Sequence, residues 1–254
     1  MTHTDRPTVA HTDQDTVAHA DQDTLIHADQ TLIFDADDTL WENNVLFERV
    51  IDGFLDWVAA PAERDGTRAL LDRIEAANAA ALGYGAAVFR QSLADCLRRL
   101  NDDRTPTAAE LDRIDALLAP LTRRGEVELI PGVADTLDVL AGRHRLLLLT
   151  KGDQGEQQAK VTASTIDHHF RGVHIVAEKS ADTYRQLIAE LGLDPDRTWM
   201  IGNSPKSDIA PARQAGLRTV FIPHEHTWVL EHQDLGPDEA TLQLTAFPEL
   251  LRHF

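Results

Sequence analysis

The chain has 254 residues, of which 43% are hydrophobic, and a formal net charge of −18. This length allows one large domain or a core with an inserted unit, and the negative charge argues against non-specific binding to nucleic acid or to anionic membranes. The single cysteine excludes an intrachain disulfide. The sequence has no apolar signal segment and no run of about 18 apolar residues, so we expect a cytoplasmic protein without membrane or nucleic-acid partners.

Residues 1–30 differ from the rest of the chain because a histidine recurs there at every eighth position. This repeat length fits no common solenoid, and its low hydrophobicity with excess acidic charge favours disorder. We therefore predict a disordered tail over residues 1–30. Capture of a metal ion by its histidines and aspartates is the functional alternative, although nothing in the repeat fixes a geometry.

A short apolar run, Leu32-Ile33-Phe34, leads directly into Asp35, and Asp37 follows two residues later. Such a run is typical of a strand that is buried on both faces of a parallel sheet. Open α/β sheets bind ligands outside the carboxyl ends of their strands, where side chains two residues apart point into the same crevice. Because neighbouring carboxylates repel each other, we expect this pair to hold a divalent cation such as Mg²⁺ or to share nucleophilic and acid–base roles.

Residues 44–128 show helical periodicity in four successive segments. The fourth segment opens with Thr107 and Glu110, which have the spacing of a capping box. Four helices inserted after one strand cannot belong to a sheet, so we predict an α-helical cap over the active-site edge at residues 44–128. The candidates for substrate contact from this cap are Tyr84, Phe89 and Arg90.

Strands and helices alternate again after Pro131-Gly132. This alternation predicts an α/β fold with a Rossmann-like parallel sheet and helices on both faces. Residues 31–43 and 129–254 would form this core, and residues 246–254 would end it with a helix. The further strands are predicted at residues 145–150, 173–176, 199–202 and 216–223.

Polar residues follow several of the predicted strands. Thr150 ends the second strand and Lys151 follows it. Lys179 follows the third strand, and Asn203 follows the fourth, with Asp208 five residues after Asn203. Because the carboxyl ends of parallel strands share one edge of the sheet, we expect these side chains to lie near Asp35 and Asp37.

The ordered set of residues resembles the four motifs of the haloacid dehalogenase (HAD) superfamily over about residues 31–223. Asp35-Ala36-Asp37-Asp38-Thr39-Leu40 resembles the first motif, and Thr150 resembles the second. Lys179 resembles the lysine of the third motif, with Lys160 and Lys151 as alternatives. Gly202-Asn203 with Asp208 resembles the fourth motif, in which this chain has an asparagine at the first acidic position.

The resemblance implies a Mg²⁺-dependent phosphatase that hydrolyses a small phosphorylated metabolite through an aspartyl-phosphate. It makes Asp35 the nucleophile and Asp37 the acid and base. It implies that Mg²⁺ is held by the side chains of Asp35 and Asp208 and by the backbone carbonyl of Asp37, with Asn203 nearby. The residues expected to bind the substrate are Thr150, Lys151, Lys179, Asp38 and Thr39.

Three other functions are compatible with parts of the pattern. The dehalogenase branch of the superfamily needs no metal and lacks the second aspartate, so Asp37 favours a phosphatase, whereas Asn203-Ser204 leans towards a dehalogenase. The motifs do not separate a phosphomutase from a phosphatase. The asparagine at position 203 is the one feature that supports a catalytically inactive scaffold.

The sequence leaves two further points open. The segment His224-Glu225-His226 is interpreted as a loop anchored by apolar neighbours, with a metal site or a part of the substrate pocket as the alternatives. The oligomeric state, monomer or homodimer, is not specified by any pattern.

Overall fold

The computed structural model of the protein describes His27 and residues 29–121, 127–236 and 240–254. Most of the predicted tail therefore lies outside the described residues. Where that tail is described, it lies against the core. The His27 backbone N–H donates to the carbonyl of His253 (2.7 Å), its ring lies 4.9 Å from the Trp199 ring, and Gln30 is buried.

A six-stranded sheet forms the core, and every strand pair in it is parallel, as the alternating pattern predicted. The strand order is β3-β2-β1-β4-β5-β6, so β1 lies inside the sheet between β2 and β4. The sequence did not predict β6, because a two-residue strand carries no periodicity. The strands are β1 (Thr31–Phe34), β2 (Arg145–Lys151), β3 (Val173–Val176), β4 (Thr198–Gly202), β5 (Arg218–Phe221) and β6 (Leu242–Gln243).

The register of the three inner strands brings their carboxyl ends together. Phe34 at the end of β1 pairs with Leu148 of β2 and with Ile201 of β4. The Asp35 backbone N–H then donates to the Ile201 carbonyl at 2.9 Å. The polar residues that follow β1, β2 and β4 therefore meet at one edge of the sheet.

Of the α-helices described between β1 and β2, the first four pack around an apolar cluster of their own. Phe54, Leu71 and Leu93 at the centre of this cluster are fully buried, because the apolar residues of each helix recur on one face. The predicted Thr107–Glu110 capping box is present. The helices are α1 (Asn44–Val58), α2 (Arg64–Leu82), α3 (Ala86–Leu100) and α4 (Ala108–Leu118), and we call them the cap helices.

Helices and apolar clusters cover both faces of the sheet. Phe34 and Trp199 belong to the cluster on one face, whereas Ile33 and Tyr184 belong to the cluster on the other. In the described part of the chain, no helix combines the length and the apolar character that a membrane span requires. The core helices are α5 (Val133–Ala141), α6 (Gln154–Ala163), α7 (Ala181–Leu191) and α8 (Ala210–Gln214).

The helix predicted over residues 246–254 is instead a 3₁₀ helix, Phe247–Arg252. Pro248 lies in its first turn, where a missing backbone N–H is tolerated. Phe247 and Leu250 are three residues apart and both buried, and three residues is the period that aligns side chains in a 3₁₀ helix.

Candidate active site

The centre of the site is a buried cluster of Asp35, Lys179 and Asp208. Asp35 follows β1, Lys179 precedes α7, and Asp208 lies in a π-helical turn, Pro205–Ile209, that follows β4. The Lys179 ammonium donates to Asp35 Oδ1 at 2.5 Å and to Asp208 Oδ1 at 2.7 Å. The side chains of Lys179 and Asp208 are each 1% exposed, so the ion pairs are shielded from water.

Burial controls the ionisation of this cluster. Burial and the charge of Asp208 together raise the pKa of Asp35 to about 7, although Lys179 opposes the shift. Burial lowers the pKa of Lys179, but the two carboxylates outweigh it and raise that pKa overall. The lysine therefore stays charged, and its single charge is shared between two carboxylates.

Hydrogen bonds orient the two carboxylates of the cluster. The Thr39 hydroxyl lies 3.0 Å from Asp35 Oδ2 and 3.2 Å from Asn203 Oδ1, and its single proton can serve one of them at a time. The Ser204 backbone N–H donates to Asp208 Oδ2 at 2.9 Å. Gly202 is required here, because a Cβ at this position would overlap the Asp208 carboxyl group.

Asp37 forms a separate set of contacts from those of Asp35. Its carboxylate accepts hydrogen bonds from Trp41 Nε1 (2.6 Å), Gln157 Nε2 (2.9 Å) and Lys160 Nζ (2.8 Å). Burial raises the pKa of Asp37, but the charge and hydrogen bond of Lys160 outweigh burial and lower it overall. Asp37 is therefore held ionised. Two of the three lysine candidates therefore face different carboxylates: Lys179 contacts Asp35, and Lys160 contacts Asp37.

The Asp38 carboxylate supports the backbone of the turn before α1. It accepts the backbone N–H groups of Asn43 and Asn44, each at 2.9 Å, and Asp38 itself has a φ of 60°, which is uncommon for a residue other than glycine. Asp38 also lines the cavity described below. These contacts give it a structural role, and its contact with substrate stays a prediction.

Lys151 connects the end of β2 to Glu231, which the sequence pattern did not predict as a residue of the site. Its ammonium donates to Glu231 Oε1 at 2.6 Å and to Ser207 Oγ at 2.8 Å. Glu231 also accepts hydrogen bonds from the hydroxyls of Ser204 (2.6 Å) and Ser207 (2.5 Å). Through Ser204 and Ser207, Glu231 therefore stabilises the turn that carries Asp208.

A cavity of about 170 Å³, open in part to solvent, lies between this edge of the sheet and the cap helices. Tyr84 and Phe89 line it from the cap side, whereas Arg90 is paired with Asp115 at the surface of the cap (2.5 Å). Thr39 reaches the site through its contact with Asp35. The predicted residues on the cavity wall are Asp35, Asp37, Asp38, Thr150, Lys151, Lys179, Asn203 and Asp208.

The cap helices contact the core at the rim of this cavity. The Tyr84 hydroxyl donates to Glu178 Oε2 at 2.6 Å, and the Ala86 backbone N–H donates to Glu156 Oε1 at 3.0 Å. The Lys151 ammonium lies 4.5 Å from the centre of the Tyr84 ring. The cap therefore lies over the edge of the sheet at which the carboxylates meet.

The donor set of the cluster suits a divalent cation. Mg²⁺ prefers carboxylate and carbonyl oxygens, which Asp35, Asp208 and Asn203 provide at one place. When both are ionised, the two buried carboxylates carry one more negative charge than Lys179 neutralises, and an added cation would offset it. The residues therefore fit Mg²⁺.

The segment His224-Glu225-His226 lies beside the turn before α1. The His224 ring nitrogens lie 3.9 Å from Asp38 Oδ1 and 3.4 Å from Glu42 Oε2, and ligand atoms of these three residues are close enough to share an ion. The His226 carbonyl accepts a hydrogen bond from Asn44 Nδ2 at 2.7 Å. The segment thus links the core to the start of the cap helices.

Comparisons with known proteins agree with this arrangement. A family model described as haloacid dehalogenase-like hydrolase matches residues 30–216. A phosphoglycolate phosphatase from Rhodospirillum rubrum is 31% identical over 152 residues, which are 57% of this chain and 62% of that protein. A phosphoserine phosphatase from Thermus thermophilus is 30% identical over 82 residues, which are 30% of this chain and 33% of that protein. The chain thus matches less than two thirds of each of these relatives.

Solved structures share the fold over nearly the whole chain. A haloacid dehalogenase-like family hydrolase from Xanthomonas campestris is 26% identical with a TM-score of 0.72, and the match covers 89% of this chain and 94% of that one. The L-2-haloacid dehalogenase from Xanthobacter autotrophicus is 18% identical with a TM-score of 0.57, and the match covers 88% of this chain and 97% of that one. At 18% identity the likeness shows the fold alone.

Proposed function

Because the chain belongs to the haloacid dehalogenase-like hydrolase family, we propose that it is a Mg²⁺-dependent phosphatase of small phosphorylated metabolites. The observation that carries the proposal is the buried cluster of Asp35, Lys179 and Asp208, with the ionised carboxylate of Asp37 two residues after Asp35. The cluster offers a nucleophile, Asp35, beside the positive charge of Lys179. Asp37 offers an acid–base group. The descriptions of the two phosphatase relatives support the same reaction.

In the first step of this reaction, a carboxylate oxygen of Asp35 attacks phosphorus, and the bond from phosphorus to the leaving alcohol oxygen breaks. An aspartyl-phosphate forms. Asp37 takes up a proton from solvent and passes it to the leaving oxygen, which returns Asp37 to its ionised form. Lys179, which faces Asp35, and Thr150, at the end of β2, would contact the phosphoryl oxygens. Phosphoryl transfer depends mainly on such positioning and charge neutralisation.

In the second step, water attacks phosphorus, the bond from phosphorus to Asp35 breaks, and inorganic phosphate leaves. Asp37 accepts the proton of the attacking water. The contact with Lys160 keeps Asp37 ionised, which is the form that a general base requires. Trp41 and Gln157 fix the orientation of the carboxylate.

The residues that would hold Mg²⁺ are the side chains of Asp35, Asp208 and Asn203 and the backbone carbonyl of Asp37. Bound Mg²⁺ would neutralise negative charge on the phosphoryl group. Asn203 supplies a neutral oxygen where the family motif has a carboxylate. We therefore expect a lower affinity for Mg²⁺ than an aspartate would give.

The cap helices support a small substrate, because a cavity covered in this way admits a metabolite and excludes macromolecules. The net charge of −18 supports the absence of nucleic-acid and membrane partners. We propose that the protein acts in the cytoplasm, as a monomer or a homodimer.

Detection of the covalent intermediate tests this proposal. The protein would be mixed with an aryl phosphate and Mg²⁺, quenched in acid and digested, and the peptides would be analysed by mass spectrometry. We expect a phosphorylated peptide that contains Asp35, and no such adduct for Asp35→Asn. A steady release of phosphate with no adduct on this peptide, under conditions in which hydrolysis of the adduct is slowed, would reject Asp35 as the nucleophile.

A further inference from the structure

A buried glutamate of the cap, Glu75 on α2, lines the same cavity as Asp35 but has no part in the proposed chemistry. It is 6% exposed, and Trp228 lines the same cavity. Among the described residues, its second oxygen, Oε2, has no hydrogen-bond partner. A buried carboxyl oxygen without a partner is costly, so this oxygen calls for an explanation.

The charges around Glu75 do not neutralise it. Arg68 is the cation that acts on it, but the Arg68 guanidinium is already bound by Glu48 (2.7 Å) and by Asp72 (2.8 Å). Burial and the charge of Asp72 raise the pKa of Glu75 to about 7. An incoming positive charge would therefore be favourable at this position.

The two sides of the cavity differ in chemistry. The core side holds the ammonium groups of Lys151, Lys160 and Lys179, which suit an anionic phosphoryl group. The cap side presents apolar side chains from α1 and α3, together with Glu75. These apolar residues are Phe47, Ile51, Val88 and Phe89.

We propose that Glu75 selects the substrate by binding an ammonium group on its alcohol part, so that the substrates are phosphate monoesters of aliphatic amino alcohols. The inference rests on the proposed phosphatase function and deepens it. In this arrangement the phosphoryl group lies at Asp35 and Lys179, and the aliphatic part contacts the apolar wall. An ammonium has three donors and no acceptor, and it would give Glu75 Oε2 a charge-assisted hydrogen bond.

The test compares pairs of esters that differ in one group. Aminoethyl, aminopropyl and aminobutyl phosphate are compared with propyl, butyl and pentyl phosphate, in which a methyl group replaces the ammonium. We expect wild-type protein to prefer the ammonium ester of at least one pair by about tenfold or more in kcat/KM, since a hydrogen bond to a charged group has this strength. The preference should reside mainly in KM, because Glu75 lines the cavity from the cap helices and Asp35 lines it from the core.

Two variants of α2 locate the effect. Glu75→Gln keeps the shape and removes the charge, and we expect it to lose the preference through a lower kcat/KM for the ammonium ester. Asp65→Asn removes the same charge from an exposed position of the same helix and should keep the wild-type preference. If Glu75→Gln does not fold, the question is decided in wild-type protein by inhibition of aryl phosphate hydrolysis. Alkylammonium ions should inhibit more strongly than the matching alkanes, in which a methyl group replaces the ammonium, and equal inhibition would overturn the inference.

The outcomes separate this inference from the proposed function. Aryl phosphate hydrolysis that needs Mg²⁺ and Asp35 supports the phosphatase proposal whatever Glu75 does. Against that background, the inference is overturned if wild-type protein shows no preference in any pair, or if Glu75→Gln lowers kcat/KM equally for both members of a pair. If no ester and no aryl phosphate is hydrolysed, the phosphatase proposal fails, and the inference fails with it.

Discussion

Lys179 joins the ends of two strands, because its ammonium lies 2.5 Å from Asp35 Oδ1 and 2.7 Å from Asp208 Oδ1. Asp35 follows β1 and Asp208 lies in the turn after β4, so the lysine holds the nucleophile candidate against the acidic turn. The three side chains are almost completely shielded from solvent. One side chain thus contributes both to the stability of the core and to the proposed chemistry.

Removal of this lysine should destabilise the protein strongly. Lys179→Met leaves two buried carboxylates without their cation, and breaking a buried ion pair in this way costs about 3–5 kcal/mol. We expect that loss in the free energy of unfolding, measured by urea denaturation, together with a loss of phosphatase activity. Lys206→Met removes an exposed lysine from the same turn and should change stability by less than about 0.5 kcal/mol. Equal stabilities of Lys179→Met and wild type would contradict the proposed role of the cluster.

Glu231 should be coupled energetically to Lys151. Glu231→Ala leaves the mostly buried Lys151 ammonium without its main partner, and we expect a loss of about 3 kcal/mol in the free energy of unfolding. The double variant with Lys151→Met should recover part of that loss, because it removes the unpaired charge. A double-mutant cycle measures the coupling, which we expect at about 1–3 kcal/mol. Strictly additive losses would show that the ion pair contributes nothing.

The stability of the protein should depend on pH through Glu75. Its pKa rises from 4.5 to about 7, because burial and Asp72 disfavour the ionised form, and Glu48 acts in the same direction while Arg68 opposes it. The unfolded chain releases the proton of Glu75 at lower pH than the folded protein does. The contribution of Glu75 to the free energy of unfolding therefore falls as the pH rises from about 4.5 to about 7.

Glu75→Gln removes this contribution. Relative to wild type, the variant should gain about 3 kcal/mol in the free energy of unfolding between pH 4.5 and pH 7, as a pKa shift of this size implies. Urea denaturation at a series of pH values measures the difference, in which the other titrating groups cancel. A difference between the two proteins that is constant with pH would show that Glu75 titrates alike in the folded and unfolded states.

The affinity for Mg²⁺ should respond to residue 203. Asn203→Asp adds a carboxylate to the proposed ligand set, and we expect the apparent dissociation constant for Mg²⁺ to fall about tenfold, since the added charge acts at short range in a buried site. Calorimetry and the Mg²⁺ dependence of activity both report this change. Gln214→Glu adds the same charge at an exposed position of α8 and should leave the affinity unchanged. An unchanged affinity in Asn203→Asp would place the cation elsewhere.

The sequence predicted the elements whose pattern is local. Leu32-Ile33-Phe34 is apolar on both faces because β1 lies inside the sheet, and this run identified both the strand and the place of Asp35. The order of the motifs favoured Lys179 over Lys160, and the structure brings Lys179 to Asp35. The match of the family model confirms the family that the motifs predicted.

The residues that the sequence did not reveal are buried by contacts distant in the chain. Glu231 lies in a polar stretch of the sequence, and it becomes buried through Ser204, which is 27 residues away. Glu75 lies on an amphipathic helix, where a glutamate is ordinarily solvent-exposed. Asp38 precedes α1 by six residues, too far for an ordinary helix cap, so its bonds to Asn43 and Asn44 had no local signal.

The most direct test of the central claim is phosphate release from an aryl phosphate, with and without Mg²⁺, by wild-type protein and by Asp35→Asn. The proposed function predicts release that requires both Mg²⁺ and Asp35. Phosphate release that persists in Asp35→Asn or in the presence of a chelator would contradict the mechanism. Release of halide from a 2-haloacid without metal, with no release of phosphate, would instead identify a dehalogenase.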